Sequence, residues 1–217
     1  MFAKYYSRYL ALDAGREIFN CLVCPSPDRD TLLNRNFAYK IIITDYSGKR
    51  IVSVSPSISA NIINNICTAI IDCPFEDILQ LGQLHETGYR ISMMYRMTLN
   101  RNKAYANVLR SQAVEYISEY KKYVIRDSGN IVSYCKVSNI DYGYGNIVVW
   151  TNEKYRRKGY ARELLYRIIS MCESEGIVPV YIVDSQNSAS IELAKSAGFE
   201  IVQTEIIGCA KGGVEMR

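Results

Sequence analysis

Hydrophobic and polar positions alternate most clearly in the second half of the chain. Residues 122–138 have the period-two pattern of a β-hairpin that turns at "DSGN", and residues 141–151 predict a third strand. Apolar side chains then recur at intervals of three and four residues across 160–175, and Gly176 follows. This spacing predicts an amphipathic helix that ends at the glycine.

The segments after this helix continue the alternation. Residues 178–184 form a short apolar run typical of a buried strand, and residues 187–198 predict a helix capped by Asn187. A last strand pattern covers residues 200–206. Three antiparallel strands, a helix, a strand, a helix and a strand in this order predict an α/β fold.

The first half carries weaker patterns. Residues 37–55 predict a hairpin, residues 59–73 a helix and residues 89–99 a strand. We interpret residues 101–122 as a further helix, because apolar side chains recur there at mostly helical spacing.

No Pro- or Gly-rich linker separates the two halves. We place the domain boundary near residue 100. This predicts an N-terminal α/β region over residues 1–98 and a second domain over residues 99–217.

Composition favours a globular protein. Of the 217 residues, 48% are hydrophobic and 22% are charged, which is typical of a folded, soluble chain. The apolar runs are shorter than the roughly 18 residues that span a bilayer. Asp13, Arg16 and Glu17 interrupt any signal-peptide core, so we expect a cytoplasmic protein without a membrane segment.

Net charge and cysteine content narrow the possible ligands only slightly. A net charge of +4 agrees with an anionic ligand but does not require nucleic acid. Cys21 and Cys24 form a lone C-x-x-C pair without the second pair of a zinc site, so we favour buried thiols and predict no metal. His85 stands in a polar segment where no catalytic triad is evident.

The stretch "YRRKGYA" (155–161) is the strongest candidate for chemistry. Three consecutive cations precede Gly159, where a strand has ended and a helix begins. A glycine there lets a ligand approach the backbone, and the unpaired amides of the helix start attract anions. Cations at a helix start oppose its dipole, so a phosphate cradle explains them better than a solvated surface does.

Two motifs resemble those of the GNAT superfamily of acyl-CoA-dependent N-acyltransferases. Arg156, Gly159 and Ala161 match the R/Q-x-x-G-x-G/A pattern of its motif A. The segment "VDSQNSASIELAKSAGF" (183–199) is similar to the motif B that follows. The residues matching motif B are Asp184, Asn187, Ser190, Leu193, Gly198 and Phe199.

The resemblance covers roughly residues 118–210 and implies a mixed, mostly antiparallel sheet flanked by helices. It leaves a smaller N-terminal α/β region, as in relatives of glycine N-acyltransferase, on the acceptor side or for interactions. Acetyl-CoA or another acyl-CoA would be the co-substrate. The implied donor-binding residues are Ile147, Val148, Val149 and Trp150 for the pantetheine arm, the amides of Arg157, Lys158, Gly159, Tyr160 and Ala161 for the diphosphate, Arg156, Lys158 or Arg162 for the 3′-phosphate, and Asn187 and Ser190 near the thiol.

The catalytic acid and base are less evident. Where the family often has a tyrosine after the motif B leucine, this chain has Ala194, and the strand before motif A contains no glutamate. Tyr144, Asp141 and Tyr181 are the candidate replacements, and relay of the proton by water is the alternative.

We therefore predict an N-acetyltransferase in which a primary amine attacks the thioester directly. The alternative is a CoA-binding or sensory module without catalysis. A nucleic-acid binder is disfavoured, because the cations are concentrated in one loop and no RNA-binding signature is present. We expect a small-molecule amine or amino-acid acceptor rather than a protein, and a homodimer if the final strand is an uncovered edge.

Overall fold

The computed structural model describes residues 2–33, 37–100 and 114–211. The chain divides into two compact units. Unit one comprises Met1–Met94 and Gln203–Arg217, and unit two comprises Tyr95–Val202. The division of roles predicted at residues 98/99 stays a prediction.

Five helices and eleven strands lie in the described ranges. The helices are α1 (Phe2–Leu10), α2 (Ala60–Ile70), α3 (Gly82–His85), α4 (Tyr160–Ser174) and α5 (Ser188–Ser196). The strands are β1 (Arg16–Ile18), β2 (Cys21–Pro25), β3 (Phe37–Tyr46), β4 (Lys49–Val54), β5 (Arg90–Leu99), β6 (Val114–Ile117), β7 (Lys122–Asp127), β8 (Asn130–Asp141), β9 (Tyr144–Thr151), β10 (Val178–Asp184) and β11 (Phe199–Lys211). None of these helices is both long enough and apolar enough to cross a membrane.

In unit one the strand order is β1-β2-β4-β3-β11. The predicted hairpin is confirmed as β3 and β4, which pair antiparallel around Gly48, where φ is 76°. The predicted helix is confirmed as α2, and its Ile63 and Ile66 are buried against Ile41 and Val52 of the sheet.

The final strand β11 is not an uncovered edge. Its residues from Ile206 to Lys211 pair antiparallel with β3, so the hydrogen-bonding groups on that side are occupied. A second copy of the chain therefore cannot pair with β11 along the side that β3 occupies. The homodimer itself stays a prediction.

In unit two the strand order is β10-β9-β8-β7-β6. Neighbouring strands pair antiparallel except β9 and β10, which are parallel. The expected mixed, mostly antiparallel sheet with helices packed on it is confirmed. Parallel neighbours need a crossover connection, and α4 provides it.

The packing of α4 explains its sequence pattern. The predicted apolar stripe is buried: Leu164, Leu165 and Ile168 lie in one cluster with Cys135 and Ile147 of the sheet. The helix ends before Gly176, whose φ of 68° is the left-handed conformation that glycine adopts readily.

The helix predicted over residues 101–122 is wrong at its end. Residues 101–113 lie outside the described residues, whereas Val114–Ile117 form β6 and a 3₁₀ turn follows at Ser118–Tyr120. All four residues of "VEYI" pair with β7, and this tertiary pairing overrides helical propensity. Tyr116 supports the pairing: its ring centroid is 4.6 Å from that of Tyr123, and its hydroxyl donates to Met171 Sδ at 3.4 Å.

Candidate functional site

The parallel strands β9 and β10 separate after a short shared segment. Their pairing is recorded for three residue pairs, the last of which joins Asn146 to Val180. Beyond this point β9 runs on to Thr151 and β10 to Asp184, and no further pair between them is recorded in the described part of the chain. Buried strand edges normally have hydrogen-bond partners, so the opening is a slot that suits an extended ligand.

Gly145 of β9 is closely packed by its neighbours near the last pair of β9 and β10. A Cβ atom added there would lie 2.4 Å from Val137 Cγ1 and 3.0 Å from Ile177 Cγ2. Only glycine permits this approach without displacing its neighbours.

The turn after β9 is open. Asn152 Oδ1 accepts a hydrogen bond from Lys154 N at 3.1 Å and stabilises the 3₁₀ turn Glu153–Tyr155. Gly159 then adopts a left-handed conformation with φ of 83°, and an added Cβ would meet nothing within 4 Å. The backbone at this position is therefore accessible.

Five amides at this turn lack a partner among the residues that the structure describes. The first intrahelical bond recorded for α4 joins Glu163 N to Gly159 O at 3.0 Å. Amides at a helix start point outward at the positive end of the helix dipole, and this arrangement suits an anion. The amides without a recorded acceptor are those of Arg157, Lys158, Gly159, Ala161 and Arg162.

The cations around this turn are exposed and weakly engaged. Arg156 contacts Glu153 at 3.5 Å and donates to Thr151 O at 3.4 Å. Lys158 Nζ lies 4.9 Å from the centroid of the Tyr155 ring. Neither contact is strong enough to hold the positive charges away from an incoming anion.

Tyr155 anchors the turn to the sheet. Its hydroxyl donates to Asp127 Oδ2 in the β7–β8 turn, and this hydrogen bond lowers the pKa of Asp127 and raises that of Tyr155. Tyr160, the first residue of α4, lies with its ring centroid 6.4 Å from that of Tyr155. The turn therefore has a defined position before any ligand binds.

The second motif places a hydroxyl pair beside the slot. Asn187 Oδ1 accepts from Ser190 N at 3.1 Å and caps α5, as predicted. Ser190 Oγ lies 2.8 Å from the hydroxyl of Tyr181, the first residue of β10 beyond its last pair with β9. Burial raises the pKa of Tyr181, and the hydrogen bond with Ser190 opposes this only in part. The Tyr181 hydroxyl therefore stays protonated at neutral pH.

The three candidate catalytic residues do not form one cluster. Asp141 is exposed where β8 ends, and Tyr144 is buried opposite Val178. Side chains alternate along a strand, so Tyr144 lies on the sheet face opposite to Ile147 and Tyr181. Their roles stay predictions.

Cys21 and Cys24 are buried in the protein, and His85 contacts a backbone carbonyl group. Cys21 and Cys24 are buried and not in a disulfide, and burial raises the pKa of Cys24 to about 11. His85 Nε2 lies 2.9 Å from Leu79 O, which belongs to the 3₁₀ turn Phe75–Gln80 that precedes α3. Within residues 2–33, 37–100 and 114–211, no group of three or more His, Cys, Asp or Glu side chains is arranged to hold a metal.

Comparison with known proteins identifies the family. Residues 75–205, more than half of the chain, match the GNAT acetyltransferase family model. The chain belongs to the GNAT acetyltransferase family. The match contains the separating strands β9 and β10, the Gly159 turn and α5, so the predicted resemblance is confirmed.

Individual relatives are more distant. The uncharacterised N-acetyltransferase YdfB of Bacillus subtilis (strain 168) is 29% identical over 101 residues, which are 46% of this chain and 39% of YdfB. This chain therefore spans well under half of that relative. An acetyltransferase of the GNAT family from Colwellia psychrerythraea superposes with a TM-score of 0.48 at 10% identity, over 95% of this chain and 96% of its own. YncA of Salmonella typhimurium, solved with its cofactor acetyl-CoA, superposes with a TM-score of 0.35 at 21% identity, over 45% and 68%.

The sequence missed one feature of this site. The bond between Tyr181 and Ser190 has no signal in the chain, because the two residues are brought together by the crossing of β10 and α5. The separation of β9 from its neighbour agrees with the resemblance, which implies that the backbone from Ile147 to Trp150 pairs with the pantetheine arm instead.

Proposed function

We propose that this protein is an N-acetyltransferase that transfers the acetyl group of acetyl-CoA to a primary amine by direct attack. The observation that carries the proposal is the slot between β9 and β10 leading to the open turn at Gly159. A slot for an extended arm followed by an anion site is the arrangement that a pantetheine diphosphate requires.

The residues around the slot fit the donor. The backbone of β9 from Ile147 to Trp150 would pair with the pantetheine arm, and the amides of Arg157 to Ala161 would bind the diphosphate. Exposed Arg156, Lys158 and Arg162 would contact the 3′-phosphate. Charge-assisted hydrogen bonds from such groups are roughly twice as strong as neutral ones.

The chain's own groups then serve the transfer. Acetyl-CoA supplies the thioester that the amine attacks. A strand amide near Val149 would stabilise the negative charge that develops on the carbonyl oxygen. Tyr181, kept protonated by its burial, would donate a proton to the departing thiolate sulfur, and water would accept one from the amine.

A CoA-binding module without catalysis is the second candidate. It is favoured by Ala194, which is buried at the position where the family often has the tyrosine acid. Tyr181 reaches the same region from β10 and carries a hydroxyl with a hydrogen-bond partner, which favours the enzyme.

Thiol release from acetyl-CoA in the presence of a panel of amines tests the proposal. We expect thiol release to depend on the amine and mass spectrometry to show the acetylated product. Tight CoA binding by calorimetry with no turnover on any amine would support the second candidate. Absence of both binding and turnover would contradict both.

A further inference from the structure

The two faces of the unit-two sheet differ beside the slot. On one face, Ile147 and Tyr181 pack in a buried cluster with Leu165 and Ile168 of α4. An amine cannot approach the slot through this helix. The acceptor must therefore approach from the face of β9 that bears Val148 and Trp150.

The strand register places two lysines in one row on that face. Lys122 of β7 pairs directly with Lys136 of β8, and Lys136 pairs directly with Val148 of β9. Directly paired residues of antiparallel strands have their side chains on the same face. Like charges directly opposite each other on neighbouring strands destabilise a sheet. A bound anion would reduce the repulsion between Lys122 and Lys136.

No carboxylate neutralises these lysines in the described part of the chain. Lys122 Nζ lies 4.3 Å from the centroid of the Tyr134 ring, and no ion pair is recorded for Lys136. Glu115 of β6 shares the face but is engaged by Arg126 at 2.8 Å. Burial lowers the pKa of Lys122, and neighbouring Lys136 and Arg126 lower it further.

An aromatic surface lies next to the lysines. In the adjacent row, Tyr134 pairs directly with Trp150, and their rings stack with centroids 5.5 Å apart. The Trp150 side chain is exposed, with 40% of its surface accessible. Two cations thus lie beside a flat apolar surface. Lys136 is on β8, one strand spacing of about 4.8 Å from the strand that lines the slot, and Lys122 is on β7, one strand further away.

We propose that Lys122 and Lys136, with the stacked Tyr134 and Trp150, form the acceptor subsite and bind the carboxylate of an amino-acid substrate. The inference rests on the proposed transferase function and names its acceptor class. The lysines bind the carboxylate, the rings contact the apolar part of the amino acid, and the amine faces the slot.

Trp150 makes direct binding measurable without turnover, because it is the only tryptophan of the chain. The probe is N-acetyl-L-alanine, a product-like carboxylate, compared at constant ionic strength with its uncharged amide. We expect a saturable change in fluorescence with the carboxylate and at least about tenfold weaker binding of the amide. Equal responses to both, or none to either, would overturn the subsite.

Variants assign the binding to the lysines. Lys136→Gln and Lys122→Gln should each weaken carboxylate binding about tenfold, while Lys136→Arg retains it. Lys4→Gln, an exposed lysine of α1, is the matched control and should behave like the unmodified protein. Removing Lys136 relieves repulsion, so its melting temperature should stay equal or rise. Unchanged carboxylate binding in both glutamine variants would overturn the proposal.

Turnover separates failure of the subsite from failure of the transferase. Thiol release from acetyl-CoA is measured with each amino acid and with its carboxamide. A preference for the acids that falls in Lys136→Gln supports the subsite. Equal acetylation of acids and carboxamides would overturn it and leave the transferase intact. Selective fluorescence without any acetylation would support the anion subsite and contradict the transferase.

Discussion

Gly159 has a left-handed backbone, and an added side chain there would meet open space. A substitution at this position therefore tests ligand binding with only a limited effect on folding. The variant Gly159→Glu should abolish acetyl-CoA binding, because a carboxylate would stand where the diphosphate amides point. The positive φ should also cost about 1–2 kcal/mol of stability. Calorimetry and chemical denaturation measure the two effects.

Gly176 provides the matched control at the other end of α4. It also has a positive φ, 68°, and an added Cβ there also meets nothing within 4 Å. Gly176→Glu should therefore lose a similar amount of stability and retain acetyl-CoA binding. If both variants bind acetyl-CoA equally well, the diphosphate does not lie at Gly159.

Tyr181 is the residue on which the proposed proton donation depends. Tyr181→Phe should lower kcat about 100-fold or more, the usual contribution of a general acid, and leave acetyl-CoA affinity unchanged. Tyr166→Phe, which removes a hydroxyl bonded to Ser196 O at 3.2 Å, is the control and should keep its kcat. An unchanged kcat in Tyr181→Phe would remove this residue from the mechanism.

The pH dependence follows from the pKa of Tyr181. Burial raises this pKa above the ordinary value of 10.0, so Tyr181 remains protonated to above pH 10 and kcat should fall only on the alkaline side of that value. The hydrogen bond with Ser190 lowers the pKa of Tyr181, so Ser190→Ala should shift the fall in kcat to higher pH. A pH–rate profile of both proteins measures the shift. A shift to lower pH would contradict the assignment.

At the scale of the element, α4 packs on the sheet, and its first turn carries the candidate anion site. Ile168 is fully buried between this helix and the sheet. Ile168→Ala should lower the free energy of unfolding by about 2–5 kcal/mol, measured by urea denaturation, because it leaves a cavity. Ser170→Ala, an exposed position of the same helix, should change it by less than about 0.5 kcal/mol. A similar small loss in both variants would mean that α4 is not packed on the sheet.

A β-bulge in the hairpin of β7 and β8 shows that strand patterns do not predict the pairing register. The hairpin of β7 and β8 was predicted correctly from its turn, but its register shifts between Ile125 and Arg126. Without the shift, Lys122 would be opposite Cys135 instead of Lys136. The row of two lysines therefore depends on one inserted residue whose position no local pattern indicates.

At the scale of the whole molecule, several exposed carboxyl groups are held ionised by their neighbours. Hydrogen bonds with Lys49, Lys40, Arg126 and Tyr155 lower the pKa values of four carboxyl groups below the ordinary values of 3.8 and 4.5. These four carboxyl groups are Glu17, Asp30, Glu115 and Asp127.

The sign of the resulting pH dependence is fixed by the lowered values. A carboxyl group whose pKa is lower in the folded state stabilises the fold fully above its unfolded pKa, and this stabilisation disappears as pH falls through the folded pKa. The free energy of unfolding should therefore be constant above about pH 5 and decrease below pH 4. Urea denaturation at pH 6, 4 and 3 measures the decrease.

Asp30 allows the contribution of one carboxyl group to be isolated. It accepts hydrogen bonds from Lys40 and, at 2.6 Å, from Ser55. Asp30→Asn should flatten the decrease below pH 4, whereas Asp13→Asn, which alters an exposed carboxyl group with no recorded partner in the described residues, should not. An identical pH profile in Asp30→Asn and the unmodified protein would contradict the cause we assign.

The sequence by itself determined the elements from residue 122 onward and the two motifs that identify the family. Strong periodicity, glycines at helix ends and the cap at Asn187 are local signals, and local signals survive without knowledge of the rest of the chain. The same holds for the anion site, because a glycine before a helix predicts free amides wherever the helix lies.

Only the tertiary structure decided the remaining features, because they depend on residues far apart in the chain. The long strand β11 pairs with β3, more than 150 residues earlier, and "VEYI" becomes a strand because β7 is beside it. The contact of Tyr181 with Ser190 and the row of Lys122 and Lys136 arise in the same way. Periodicity predicts which side of a helix or strand is apolar. Tertiary packing determines which element lies beside it and in which register the two pair.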